Sequence, residues 1–232
     1  AASLTHPLRL CRAEDPRGHQ RERGRRGRDG HMRILAIADV EEPWLYDHLD
    51  RHRLDEADLI ISCGDLSARY LEFVATMARV PLLYVPGNHD EAYVSAPPEG
   101  CINIDGRLWE GKGLRIFGAG GSMRYRTGTY MYTESQMRRR VRRFVLRRQL
   151  ARGLDILVTH APARGYGDLD DLPHRGFEAF NELMDKYRPS YLLHGHVHMS
   201  YGRIERERTH PSGTRILNVY GSQLIDVTKP TR

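Results

Sequence analysis

Five short apolar runs in this chain each end in a residue able to hold a metal ion. ILAIA (34–38) runs into Asp39, LIISCG (59–64) into Asp65, and PLLYVPG (81–87) into Asn88, His89 and Asp90. Further on, DILVT (155–159) runs into His160, and SYLLHG (190–195) into His196 and His198. Runs that are apolar on both faces read as strands buried on both sides. Amphipathic stretches between several of them call for helices packed outside the sheets, an α/β arrangement. In such proteins ligands collect beyond the carboxyl ends of the strands, where these polar residues fall.

The pattern predicts strands over 33–38, 58–65, 81–90, 101–104, 114–121, 155–162 and 190–198. Two closing strands are expected at 201–207 and 214–220. Helices are expected over 43–53, with Pro43 in the first turn, and over 67–79, 133–152 and 176–188.

Length and charge narrow the reading. At 232 residues and 40% hydrophobic, the chain suits one globular domain. No apolar run approaches the roughly 20 residues that span a bilayer, so a soluble protein with no membrane partner is expected. Cys11, Cys63 and Cys101 are odd in number and unrelated in spacing, which fits a reducing, cytoplasmic setting and neither a disulfide framework nor a zinc ribbon. Residues 1–31 carry eight arginines against four carboxylates, a net +4 of the chain's +6. The basic pI of 9.4 is therefore weak evidence for nucleic-acid binding. With no hydrophobic period, 1–31 is expected to be a disordered tail or upstream segment, leaving 32–232 as the domain.

A lone Asp after a strand is ordinarily a cap or turn residue, and a lone His a surface or satisfied core residue. Their joint placement at five strand ends is what points to chemistry. Carboxylate and imidazole together offer the mixed oxygen and nitrogen donors that suit divalent transition metals. A carboxylate such as Asp65 can bridge two ions, and two ions about 3.5–4 Å apart can clamp the attacking and leaving oxygens of a displacement at phosphorus.

The ordered set Asp39-Val40-Glu41, Gly64-Asp65, Gly87-Asn88-His89-Asp90, His160 in THAP and His196-Val197-His198 resembles the calcineurin-like metallophosphoesterase superfamily. The resemblance covers Met32 to the end. It implies a four-layer α/β/β/α sandwich of two packed mixed sheets flanked by helices. It implies Asp39 and His198 on a first metal, Asp65 as the bridge, and Asn88, His160 and His196 on a second. His89 would lie beside the scissile phosphate, oriented by Asp90. Two divalent ions are implied, drawn from Mn²⁺, Fe²⁺/Fe³⁺, Zn²⁺ or Mg²⁺ with Mn²⁺ favoured. Hydrolysis of a phosphoester, by preference a phosphodiester, would proceed through a hydroxide bridging the ions.

The family's first motif is usually Asp-x-His, and here Glu41 stands in the place of that His. Three readings stay open: Glu41 as an oxygen ligand, as a partner of metal-bound water, or as the mark of a weakened first site. On the substrate side, Arg124 and Tyr125 are candidates to hold a phosphate or stack on a base, and His174 is a candidate to approach the phosphate. The substrate is expected to be a small-molecule or nucleotide phosphoester. The Arg-rich helix at 133–152 keeps a nuclease in view, although no interleaved aromatics support single-strand binding. A binding or regulatory module with a reduced first site is the reading of another class. Oligomeric state has no signature here.

Overall fold

The computed structural model describes residues 31–146, 152–202 and 204–228; the expected tail at 1–31, except His31 at the start of the first strand, and the helix stretch at 147–151 lie outside them. The first sheet is built from β1 (His31–Ala38), β2 (Leu59–Ser62), β3 (Leu82–Tyr84) and β4 (Ile102–Asn103) in parallel. The second contains β5 (Leu108–Gly111) and β6 (Leu114–Ala119), while β7 (Ser122–Met123) and β8 (Met131–Tyr132) form a small parallel pair of their own. It is completed by β9 (Ile156–Thr159), β10 (Tyr191–His194), β11 (Glu207–Thr209) and β12 (Arg215–Asn218), in the spatial order β11-β12-β10-β9-β6-β5. β13 (Gly221–Thr228) returns to the first sheet and pairs antiparallel with β1 along its whole length.

Side-chain alternation sorts the core into layers. Ile34, Ala36, Leu59, Ile61 and Leu83 meet Ile116, Ile156, Val158 and Leu193 between the two sheets. The opposite residues of the first sheet, Leu35, Ile37, Ile60 and Leu82, pack on Tyr70, Leu71 and Val74 of the helix Ala68–Met77. Those of the second sheet, Phe117, Leu157, Leu192 and Ile216, pack on two further helices, Glu134–Leu146 and Glu178–Tyr187. The result is the four-layer α/β/β/α sandwich. Each fully buried Leu or Ile contributes about 1.5–3 kcal/mol. No described helix is long and apolar enough to cross a membrane.

Local chemistry sets the departures from expectation. The helix expected over 43–53 splits into a single turn at Pro43–Leu45 and a short helix Arg51–Asp55. The break falls at Asp50, whose side chain caps the second piece by accepting from the His52 and Arg53 amides. β13 has no counterpart among the expected strands, and the strand expected at 201–207 is a turn followed by β11 at 207–209.

Candidate metal centre

The parallel strands of both sheets deliver their C-terminal ends to one seam. β1, β2 and β3 bring Asp39, Asp65 and Asn88; β9 and β10 bring His160, His196 and His198. Three of the five non-glycine residues with positive φ among the described residues are in this set: Asp39 at 64°, Asp65 at 56° and His196 at 69°. Such conformations cost about 1–3 kcal/mol each and persist where surrounding structure enforces them. At Asp39 the Val40 amide reaches back to the Ala38 carbonyl (2.7 Å), and at His196 the Val197 amide reaches back to Gly195 (2.8 Å). Both side chains are thereby swung off their strands into the seam.

The turns leave no room for larger residues. A Cβ on Gly87 would lie 2.1 Å from Asp65 Oδ1, and one on Gly195 would lie 2.3 Å from Asp39 Oδ2. The glycines of the GNHD and GHVH stretches are thus required by close approach to the carboxylates.

Ligand atoms of Asp65, His160 and His196 lie within 4.8 Å of one another. His160 is fully buried; its Nδ1 donates to the Cys63 carbonyl (2.8 Å), which turns Nε2 toward Asn88 Oδ1 (3.1 Å) and Asp65 Oδ2 (3.3 Å). His196 Nε2 donates to the Pro173 carbonyl (2.8 Å), leaving Nδ1 for the centre. Partners of this kind fix tautomer and ring orientation in metal-binding histidines. Asp39 accepts the His196 amide on both oxygens (3.1 and 3.0 Å), and His198 Nε2 lies 3.9 Å from its Oδ1.

Among the described ion pairs, neither Lys nor Arg meets Asp39, Asp65 or Asp90. Burial pushes the Asp39 carboxyl up to about 7, with His160 opposing and Asp65 adding. Burial also pushes Asp90 up, to about 6. Burial lowers His160, but Asp65, Asp39 and the Cys63 carbonyl together outweigh it and hold the imidazole at about 9. Burial raises Asp65, but His160 and the His89 amide and ring together outweigh it and hold the carboxyl below the usual range. Burial, with His160 adding, pushes His196 down to about 3, so it presents a neutral ring. A site that retains a proton on His160 between two acceptors is one that calls for positive charge. The donor set fits a divalent ion.

Other expected site residues fall as follows. His89 is exposed at the rim, and its amide donates to Asp65 Oδ1 (2.8 Å). Asp90 does not orient the His89 ring among the described hydrogen bonds; its Oδ2 accepts the Gly87 (2.7 Å) and Asp65 (2.8 Å) amides, tying the two ligand turns together. Glu41 is exposed and accepts from the Ser67 amide (3.2 Å), where the helix Ala68–Met77 starts; like Asp39 and His198 it is not in the group of Asp65, His160 and His196. The Arg124 guanidinium is taken by the Met131 carbonyl (3.3 and 3.2 Å), and Tyr125 pairs with Arg126. His174 comes to the centre: its ring lies 5.2 Å from that of His196, and its Nδ1 meets Asp171 Oδ2 at 2.6 Å. In the Arg-rich helix, Arg140 binds both oxygens of Asp105 (2.8 and 2.7 Å), and Arg138 binds Glu182 (2.7 Å).

Sequence reasoning missed the Cys63 and Pro173 carbonyls, which no residue type announces. It also missed Tyr201, three residues after His198, whose ring stacks on that imidazole with centroids 4.8 Å apart and planes 7° from parallel.

Comparison with known proteins bears on the family and the fold. The model of the family described as calcineurin-like phosphoesterase matches residues 32–200. A UPF0046 protein of Caenorhabditis elegans is 22% identical over 211 residues, covering 75% of this chain and 71% of that protein. A protein named as probable rhamnogalacturonate lyase C of Emericella nidulans is 21% identical over 202 residues, and this chain spans 18% of its length. Two solved structures share the fold at TM-scores of 0.57 and 0.55 and identities of 13% and 14%. Each match covers 86% of this chain and 100% or 99% of the other, the second being TT1561 of Thermus thermophilus.

Proposed function

The chain belongs to the calcineurin-like phosphoesterase family, and on that footing we propose that it hydrolyses a phosphodiester with two divalent ions, Mn²⁺ favoured. The observation that carries this reading is the seam of Asp65, His160 and His196, closed by buried carboxylates that no Lys or Arg neutralises among the described residues. One ion would be held by Asn88, His160, His196 and Asp65, the other by Asp39, His198 and Asp65. Bound there, such ions supply Lewis acidity and bring a coordinated water into the range where it ionises near neutral pH.

The chain's own residues do the rest. Cys63 and Pro173 hold His160 and His196 as oriented, neutral-capable donors. Asp90 locks the two ligand-bearing turns into one unit. His89, exposed and with its amide on Asp65, would donate a hydrogen bond or proton to an oxygen of the leaving group. A phosphodiester carries one negative charge, which suits a seam whose carboxylates pair with no Lys or Arg among the described ion pairs.

The test is an assay of metal-stripped protein on bis(p-nitrophenyl) phosphate. Activity should return with Mn²⁺, and His89→Ala should lose about 100-fold in kcat at unchanged metal content. Absence of turnover with Mn²⁺, Fe²⁺, Zn²⁺ and Mg²⁺ alike, or equal rates for wild type and His89→Ala, overturns the reading.

A further inference from the structure

A continuous run of aromatic rings leads from the core of the seam to its surface. His160 lies 4.8 Å from His196, His196 lies 5.2 Å from His174, and His174 lies 4.8 Å from Tyr201. Tyr201 also stacks on His198, whose ring centroid is 4.7 Å from that of Tyr220. At the buried end His160 is fully enclosed, whereas Tyr201 is 47% exposed. Five large apolar side chains are exposed among the described residues, and two of them, Tyr201 and Leu172, sit on the segments that carry His198 and Pro173. An exposed Tyr held by two imidazoles has no role in the core. Its orientation is already set, so little conformational freedom is lost when a flat group meets it.

We infer that Tyr201, held between His174 and His198, forms a lip that binds a flat aromatic substituent of the phosphodiester, an aryl group or a nucleobase. This rests on the phosphodiesterase reading above and names its substrate class. Stacking of a base on an aromatic side chain is worth about a tenfold or greater gain in binding.

The experiment compares bis(p-nitrophenyl) phosphate with methyl p-nitrophenyl phosphate, two diesters with the same leaving group. The Mn²⁺-loaded wild type should favour the aryl diester by about tenfold in kcat/KM, mostly through KM. Tyr201→Ala should bring that ratio near one, and Tyr201→Phe should keep it. A ratio unchanged in Tyr201→Ala, or both substrates falling in the same proportion together with metal content, overturns the lip. If neither diester is turned over, the phosphodiesterase reading fails, and calorimetry with phenyl and methyl phosphate then decides the lip by itself. A preference for phenyl phosphate that Tyr201→Ala removes supports it, and equal binding overturns it.

Discussion

Glu41 shows how one backbone angle redirects a side chain. Alternation along an extended strand would place Asp39 and Glu41 on one face, and that expectation assumes the strand runs on. It stops at Ala38, because Asp39 sits at a φ of 64°. Beyond that turn the carboxylate of Glu41 reaches the Ser67 amide. A carboxylate at a helix start satisfies an amide that the helix itself leaves free. Glu41→Ala should therefore leave metal content unchanged while costing about 0.5–1.5 kcal/mol of stability, measured by elemental analysis alongside denaturant unfolding. Loss of one ion per chain would instead make Glu41 a ligand. Residue types at strand ends made Asp39, Asp65, Asn88, His160, His196 and His198 legible in the sequence. The supporting carbonyls of Cys63 and Pro173 were not legible, because every residue has a carbonyl and only the fold decides which one meets an imidazole.

At the scale of elements, the connection between β9 and the helix Glu178–Tyr187 links substrate side to metal side. Asp168 gathers it by accepting from Arg164 Nη1 (2.6 Å) and from the Gly165 (2.8 Å) and Gly176 (3.0 Å) amides. The gathered loop presents Pro173 to His196 and His174 to Tyr201. Asp168→Ala should loosen it and lower metal affinity or activity about 10- to 100-fold, as loss of a ligand's supporting partner does. Metal titration of the variant checks this, and wild-type affinity together with wild-type turnover would contradict it. The strands around the site were readable because they are apolar on both faces. β13 was not, since its alternation of buried and exposed residues includes Gln223 and Asp226 and lacks a long apolar run. The basic helix was readable as a helix, but Arg140 and Arg138 direct their charge to Asp105 and Glu182, partners distant in sequence.

At the scale of the whole molecule, the buried charges make stability depend on pH. Asp39 and Asp90 have folded values raised from 3.8 to about 7 and about 6, so ionising them as pH rises through those values weakens the fold. His160 is raised from 6.5 to about 9; its contribution is full below 6.5 and is lost as pH rises through 9. Asp65, held low, contributes above its unfolded value and loses that contribution only in acid. His194 and His196, lowered from 6.5 to about 4 and about 3, oppose this trend below 6.5, where a neutral buried ring costs a proton that the unfolded chain would bind. Above 6.5 that opposition is spent, and the remaining changes at Asp39 and His160 share one sign. The metal-free protein should therefore melt at progressively lower temperature as pH rises from 7 to 9. On the proposed reading a divalent ion would replace the proton on His160, so Mn²⁺ should raise the melting temperature more at pH 8.5 than at pH 7. A metal-free melting temperature that climbs across this window would contradict both expectations. The seam has one more consequence. The first sheet contributes only oxygen donors, Asp39, Asp65 and Asn88, and the second only imidazoles, His160, His196 and His198. A half-formed chain would therefore bind like either a hard-ion chelator or a histidine tag. A metal would meet the mixed oxygen and nitrogen donor set only once the two halves dock.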